Sequence, residues 1–479
     1  MLKTLTEQKI FGIAALVFLL AAFCSDGFYH LDEHYQILEF ASYKLGISGL
    51  EDMPWEFKAK MRPSIQPWMA YWTHQFLSVL GNTNPLNVAM VLRVLSGILA
   101  ITTIKLLFNT FKEQYSSNIQ LILLGASFFL WFNPYLMVRF SSENWGGMLF
   151  FIAMSLLINK KSKGLYIYLS AGLLLGMSFF IRFQMAFAII GLIGYLVYSK
   201  QFNLKSFTIL LSGGVIAIST MVFLDYLFYE SLVFTPWEYF NQNILLDKAS
   251  NFGIDPWWKY FEWLIKDAIL PFALLIITGL FLLIRSKELP VFNWIWIPFL
   301  IGHFFVGHKE LRFLFPLVYI LPYAVIEVWK ALSPLTLTSR SISKILVSVL
   351  IVWNLGLMIY SSVTPAKSFV RIYAKSREII EPNSVVYLAS HNNEEWNYPL
   401  VYFLDPSIYF IRADSNVTLM KVDERPHYVW LKRSQIEQNR AFLGDSITAT
   451  IPQWLYYFNI NGWVDREKNY VLFKVKDHN

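Results

Sequence analysis

Four ionisable residues fall within five positions at His308-Lys309-Glu310-Leu311-Arg312, ahead of Phe313 and between two apolar runs. Lys309 precedes Arg312 by three residues and His308 by four, a spacing that would offer several donors to one phosphate group. The plainer reading is a structural ion pair between Glu310 and a neighbouring helix. A second group lies near the start of the chain, in His30-Leu31-Asp32-Glu33-His34-Tyr35-Gln36-Ile37-Leu38-Glu39-Phe40. On an α-helix Asp32, Gln36 and Glu39 share one face and Leu31, Tyr35 and Leu38 the adjacent apolar one, which predicts a helix lying on a membrane surface. A carboxylate just above lipid is raised in basicity and suits general-base work, whereas the same spacing also suits a solvated helix with acidic caps. Trp55, Glu56, Arg62 and Trp68 follow, mixed with prolines. The tryptophans read as interfacial anchors, and Arg62 either meets a phosphate or snorkels to head groups.

The elements that must position these residues are hydrophobic. Of 479 residues 56% are hydrophobic, 18% aromatic and 15% charged, which is too apolar for a water-soluble enzyme and suits a lipid-embedded helical bundle. About eleven stretches are long enough for roughly 30 Å of hydrocarbon. They centre near Val17, Ile98, Leu123, Phe151, Leu173, Ile190, Val215, Leu275, Pro298, Tyr319 and Leu350. The first reads as a retained signal anchor, because no small-residue cleavage site follows it. Single charges at or near span ends, Arg93, Arg139, Glu143, Arg182 and Asp225, are expected to face the bundle interior and pair.

The formal net charge of +7 does not point to nucleic acid, since the basic residues form short clusters such as Lys160, Lys161 and Lys163 between apolar runs. Cytoplasmic loops explain them. With Lys3 and Lys9 inside, alternate loops also place inside Lys112, Lys200, Lys205, Arg285, Lys287, Lys330, Arg340 and Lys344. The far side then receives the loop from Ser25 to about Pro85, the loop from about Tyr229 to Trp263, a short loop after His303, and the tail. The boundary falls at 363/364: residues 1–363 form the transmembrane domain, and 364–479 a small mixed α/β extracytoplasmic domain. Its strand-like runs are Ser384 to Leu388, Ser407 to Ile411, Tyr428 to Leu431 and Tyr470 to Val475. With Cys24 as the lone cysteine there is no internal disulfide and no cysteine-based zinc site.

Asp32-Glu33 with Gln36 and Glu39, then Trp55-Glu56 and Arg62-Pro63, and above all His308-Lys309-Glu310-Leu311-Arg312-Phe313, resemble glycosyltransferase family 22. These are polyprenyl- or dolichyl-phosphate-mannose-dependent α-mannosyltransferases, including those that build the glycosylphosphatidylinositol anchor and the lipid-linked oligosaccharide. Arg139 with Ser141 to Asn144, Arg182-Phe183-Gln184, and Asn251-Phe252-Gly253 followed by Pro256-Trp257 and Tyr260 look like later blocks of the family, in order. The resemblance covers residues 1 to about 330 and fades in the tail after residue 364.

What the resemblance implies is a GT-C helical membrane bundle and an inverting transfer of mannose from polyprenyl-phosphate mannose to a hydroxyl of a glycolipid or lipid-linked glycan. Asp32 is then the expected base, with Glu33 beside it as second candidate. His308, Lys309 and Arg312 would hold the donor phosphate, and Gln36, Glu39, Trp55, Arg62 and Glu310 would contact substrate. Phosphate is a good leaving group, so neither a cofactor nor a metal is expected, and no Gly-rich phosphate loop is seen. The expected partners are membrane lipids, the donor and the acceptor. A transporter or flippase of lipid-linked sugars is the alternative, but it would carry its charges near the midplane; a GT-C enzyme for another sugar is a second. The lone cysteine favours a bacterial inner membrane with a periplasmic site, and the sequon Asn416-Val417-Thr418 keeps open the endoplasmic reticulum with a luminal site.

Overall fold

A computed structural model describes residues 2–159, 164–336, 340–390, 400–414, 424–451, 457 and 469–476. The expected basic loop at Lys160, Lys161 and Lys163 and the sequon Asn416-Val417-Thr418 lie outside the described residues. By packing, the chain forms two units. One comprises Met1–Cys24, Pro54–Trp72 and Val91–Val363, the other Ser25–Met53, Thr73–Met90 and Thr364–Asn479.

The first unit is helical. Among the described residues four helices are long and apolar enough to cross a membrane: the one ending at Cys24, the one beginning at Pro85, Leu204–Tyr229, and the one ending at Val363. The pair Leu311–Tyr319 and Leu321–Ser333 passes the same test only taken together, bent by 67°, as a broken span or a re-entrant loop. The break follows from Pro316 and Pro322, neither of which has an amide hydrogen to continue the ladder. Six shorter apolar helices, of 10–17 residues, complete the set: Ser117–Phe129, Ser142–Ile158, Leu165–Ile181, Met185–Tyr198, Leu270–Ile284 and Pro290–Phe305. Every expected span centre falls on one of these elements, Tyr319 at the break itself. The core is aromatic and aliphatic, with Phe18, Phe128, Phe150, Phe292 and Tyr319 all buried.

Leu165–Ile181 and Leu204–Tyr229 meet backbone to backbone. A Cβ on Gly172 would stand 2.0 Å from the Leu210 carbonyl oxygen, and one on Gly213 2.4 Å from that of Leu169. Within lipid, where apolar side chains gain little by meeting each other, such close approach is what holds helices together.

The second unit contains a five-stranded sheet of β1 (Val385–Ser390), β2 (Tyr409–Asp414), β3 (His427–Lys432), β4 (Leu443–Ala449) and β5 (Tyr470–Val475), in the order β2-β1-β3-β5-β4. β1 runs parallel to β2 and β3, with Val385 opposite Tyr409 and His427. β5 lies antiparallel to β3 and β4. Val385, Tyr387, Val429, Leu431 and Phe473 fill its core. The helix Val370–Ile379 docks on the sheet, with Trp430 Nε1 donating to Ser376 Oγ at 2.9 Å. Four strands coincide with the expected runs, and β4 is an addition.

Candidate functional site

In the first unit the His308–Phe313 motif follows Pro290–Phe305 and enters the 3₁₀ segment Leu311–Tyr319. The guanidinium of Arg312 is buried between two carboxylates. Its Nε donates to Glu310 Oε2 at 2.6 Å and Nη2 to Glu310 Oε1 at 2.9 Å, while Nη1 donates to Glu143 Oε1 at 3.1 Å. Glu143 Oε1 also meets Arg182 Nη1 at 3.2 Å. Arg312 thus makes an ion pair to a neighbouring helix through Glu143.

Local structure explains why Glu143 stands there. Ser141 caps the helix Ser142–Ile158 by accepting from the Asn144 amide at 3.3 Å, which sets Glu143 in the first turn, where helix dipole and carboxylate attract. Gly147, one turn on, lets this helix touch the 3₁₀ segment: a Cβ there would fall 2.9 Å from Pro316 Cα. Arg182 ends Leu165–Ile181 and lies 4.9 Å from the ring centre of Phe313, whose ring also carries Arg312 at 5.3 Å. Arg182 Nη2 and the hydroxyl of Tyr260 are buried without a hydrogen-bond partner among the described residues.

His308 bridges two segments, with Nδ1 3.2 Å from the Gly253 carbonyl and Nε2 3.0 Å from Glu310 Oε1. The bond to Glu310 holds its imidazole above the ordinary range, against the opposing effect of burial. Lys309 is buried and meets no carboxylate within ion-pair distance among the described residues. Its Nζ donates to the carbonyls of Val306 and Gly307, and burial draws it below its ordinary range. This cluster therefore holds one ammonium resting only on backbone oxygens beside two arginines already held by carboxylates.

The structure brings Trp55 and Arg62 into the same unit. Trp55 stacks on Phe252 at 6.5 Å, and Phe252 in turn lies 6.0 Å from His308. Arg62 pairs with Glu56 at 2.5 Å and lies over the ring of Tyr239 at 5.2 Å. Its carbonyl accepts from Tyr229, at the end of Leu204–Tyr229. Nearby, Asp225 accepts from the Ser64 amide and hydroxyl and from Thr235, so this intramembrane charge pairs with hydroxyls instead of a cation.

The acidic turn belongs to the second unit and departs from the expected α-helix. Residues His34–Leu38 form a π-turn, closed by the Glu39 amide on the His34 carbonyl, and an α-helix resumes at Glu39–Lys44. The wider turn breaks the i, i+4, i+7 alignment: Gln36 and Glu39 turn inward and are buried, while the Asp32 side chain keeps 24% exposure. Asp32 Oδ1 lies 3.5 Å from His30 Nδ1, and Glu33 Oε1 accepts from the Tyr29 amide at 3.1 Å. Glu39 is engaged throughout: Oε1 accepts from His34 Nε2 at 2.6 Å and from the Tyr402 amide at 3.1 Å, Oε2 from Ser42 and Ser48. Asp32 and Glu33 are both half-buried in this turn, in contrast to Glu39.

Sequence reasoning named Glu143 and Arg182 as span-end charges and within later family blocks, without a partner. The bond of Glu143 to Arg312 joins positions 169 residues apart, and no local spacing carries that signal. Among the described residues no group of three or more His, Cys, Asp and Glu is arranged to hold a metal ion.

Comparison with known proteins agrees with this architecture. The fold is similar to that of ArnT from Cupriavidus metallidurans, solved bound to undecaprenyl phosphate, with a TM-score of 0.59 over 97% of each chain at 9% identity. That likeness identifies the GT-C type of helical membrane bundle with a small C-terminal sheet. In sequence the chain is 26% identical over 321 residues to GPI mannosyltransferase 3 of Candida albicans, covering 67% of this chain and 63% of that protein. It is 24% identical over 332 residues to GPI alpha-1,2-mannosyltransferase 3 of Danio rerio, covering 68% and 60%. The chain thus spans less than two thirds of the length of either relative. Residues 9–388 match the model of the Alg9-like mannosyltransferase family, and with more than half of its length so matched the chain belongs to that family.

Proposed function

We propose that this protein transfers mannose from a polyprenyl-phosphate mannose donor to a hydroxyl of a glycolipid or lipid-linked glycan, with inversion at the anomeric carbon. The observation that carries the reading is Lys309, a buried ammonium resting on backbone carbonyls within the cluster of His308, Glu310 and Arg312. A departing lipid phosphate gives such a cation a direct anionic contact, where Asp255 acts on it only from beyond ion-pair distance. Family membership supports mannose as the sugar, and the undecaprenyl phosphate bound to ArnT is itself a polyprenyl phosphate, the leaving group this reaction releases.

Asp32 takes the proton of the acceptor hydroxyl as oxygen attacks the anomeric carbon, and the bond to the phosphate oxygen breaks. Glu33 is the second candidate for that role. His308 and Lys309 receive the growing phosphate charge; Arg312, held by Glu310 and Glu143, keeps the cluster in shape and shares its field. Trp55, Arg62 and Glu310 contact substrate, whereas Gln36 and Glu39, expected from the sequence to do the same, are buried in their turn. The reaction asks for no cofactor beyond the donor itself. A periplasmic site in a bacterial inner membrane is the setting favoured by the lone cysteine, and the yeast and vertebrate relatives point to the endoplasmic reticulum as the other.

Purified protein incubated with polyprenyl-phosphate mannose and a panel of lipid acceptors is expected to yield a mannosylated acceptor and free polyprenyl phosphate by mass spectrometry. Donor consumption without a mannosylated product in any acceptor would defeat the reading. In the same assay Lys309→Met should lower kcat/KM for the donor by about ten- to a hundredfold, the worth of one hydrogen bond to a charged group. Unchanged donor kinetics in a folded Lys309→Met protein would return the cluster to a purely structural role.

His308 adds a pH dependence. Its value is raised in the folded protein, so the imidazolium and the stability it brings are fully present below the ordinary 6.5 and are lost as pH climbs through the raised value. Donor KM should therefore rise as pH climbs through that raised value, and His308→Gln should flatten the rise. A KM profile with the same slope in both proteins would remove His308 from the phosphate site.

A further inference from the structure

The second unit ties two parts of the chain that lie far apart in sequence, and the ties bracket Asp32. On the N-terminal side the Asp26 carbonyl accepts from the Lys367 amide at 3.1 Å, and the Asp26 carboxylate lies 3.5 Å from Arg371 Nε. Gly27, at φ +86°, permits the approach, since a Cβ there would fall 2.9 Å from Lys367 Cβ. Phe28 meets Phe369 edge-on at 5.9 Å. On the C-terminal side Glu39, 1% exposed, accepts from the Tyr402 amide, and the ring of its partner His34 lies 4.7 Å from Phe403. The hydroxyl of Tyr402 is bonded in turn to His74 Nδ1 at 3.1 Å.

A carboxylate buried to this degree is costly unless its donors are in place, and Glu39 draws them from the turn itself, from Ser42 and Ser48, and from the tail. The π-turn is a wide, sparsely used conformation that persists only when its surroundings enforce it. The match to the family model ends at residue 388, whereas the tail's share of this contact is made at 402 and 403. We infer that the C-terminal tail, through the Tyr402 amide on Glu39 and the Lys367 and Arg371 contacts to Asp26, holds the turn that carries Asp32 in its working conformation, making Glu39 a positioning residue for transfer. This rests on the reading of Asp32 as the base. A tail clamped at two points on either side of Asp32 limits how far its carboxylate strays between turnovers.

Glu39→Gln tests it, because the amide keeps the size but takes fewer donors. In the full-length protein kcat should fall about tenfold or more with donor KM unchanged, since misplacement of a catalytic group by a fraction of an ångström lowers turnover while the residues assigned to the donor phosphate stay as they are. Hydrogen exchange read by mass spectrometry should show the Tyr402 amide and the 30–40 segment losing protection together. Where Glu39→Gln does not fold, Arg371→Ala loosens the other clamp and should lower kcat by about two- to fivefold, as for a half-exposed ion pair. Unaltered exchange at Tyr402, or unaltered kcat in the loosened variants, would overturn the inference. Coupled exchange alongside a fully active Asp32→Asn protein would keep the clamp and remove the base; ordinary exchange alongside an inactive Asp32→Asn protein would remove the clamp and keep the base.

Discussion

Asp32→Asn should lower turnover by about a hundredfold or more while leaving folding and donor affinity nearly unchanged. The size of the effect is that of a lost general base: the amide preserves shape and most hydrogen bonding but cannot accept the acceptor's proton. The choice of Asp32 rests on the resemblance of its turn to glycosyltransferase family 22. Glu39 is buried under four donors, whereas the Asp32 side chain is 24% exposed beside His30 and Glu33 accepts from the Tyr29 amide. Glu33→Gln is the control and should lose less. Steady-state kinetics with the donor varied at fixed acceptor decide between them. If Glu33→Gln abolishes transfer and Asp32→Asn does not, the two roles exchange; full activity in both reduces the first-loop carboxylates to helix caps.

Glu143→Leu should produce the largest loss of stability among single changes in the first unit, about 3–5 kcal/mol, because it leaves buried cations without their shared counter-ion. The burden falls unequally. Arg312 keeps two bonds to Glu310, at 2.6 and 2.9 Å, whereas Arg182 keeps the face of Phe313 and already has one nitrogen without a hydrogen-bond partner among the described residues. Removing Arg182 as well, in Glu143→Leu with Arg182→Leu, should recover much of the loss, since an apolar pair replaces a stranded charge. Thermal unfolding in detergent, followed by tryptophan emission, measures both. A double variant no more stable than the single one would mean that Arg182 does not depend on Glu143.

Most of the helical frame was legible because burial in lipid imposes one simple rule, a continuous apolar run, and every such run became a helix or the bent pair around Tyr319. Strands β1, β2, β3 and β5 were visible for a similar reason, being short runs of branched and aromatic residues. β4 was not. Its sequence, Leu443-Gly444-Asp445-Ser446-Ile447-Thr448-Ala449, carries Gly, Asp and Ser, and it lies at the sheet edge with register shifts against β5, where polar residues are tolerated. The His308–Phe313 motif was legible as a cluster of residue types, but the structure added its wiring. Which carboxylate Arg312 meets depends on a helix cap at Ser141 and a bare backbone at Gly147, and neither is marked by charge. The acidic turn was misread in register alone: an α-helical period predicts Gln36 and Glu39 on an open polar face, and a single π-turn rotates both inward.

The six short apolar helices have a mechanical meaning for the membrane around them. At about 1.5 Å per residue, even a helix of 17 residues spans only about 25 Å, some 5 Å less than an ordinary hydrocarbon layer. Where such a helix crosses the layer and borders lipid, the lipid compresses to meet it, and compressed lipid stores elastic energy that grows with each ångström of mismatch.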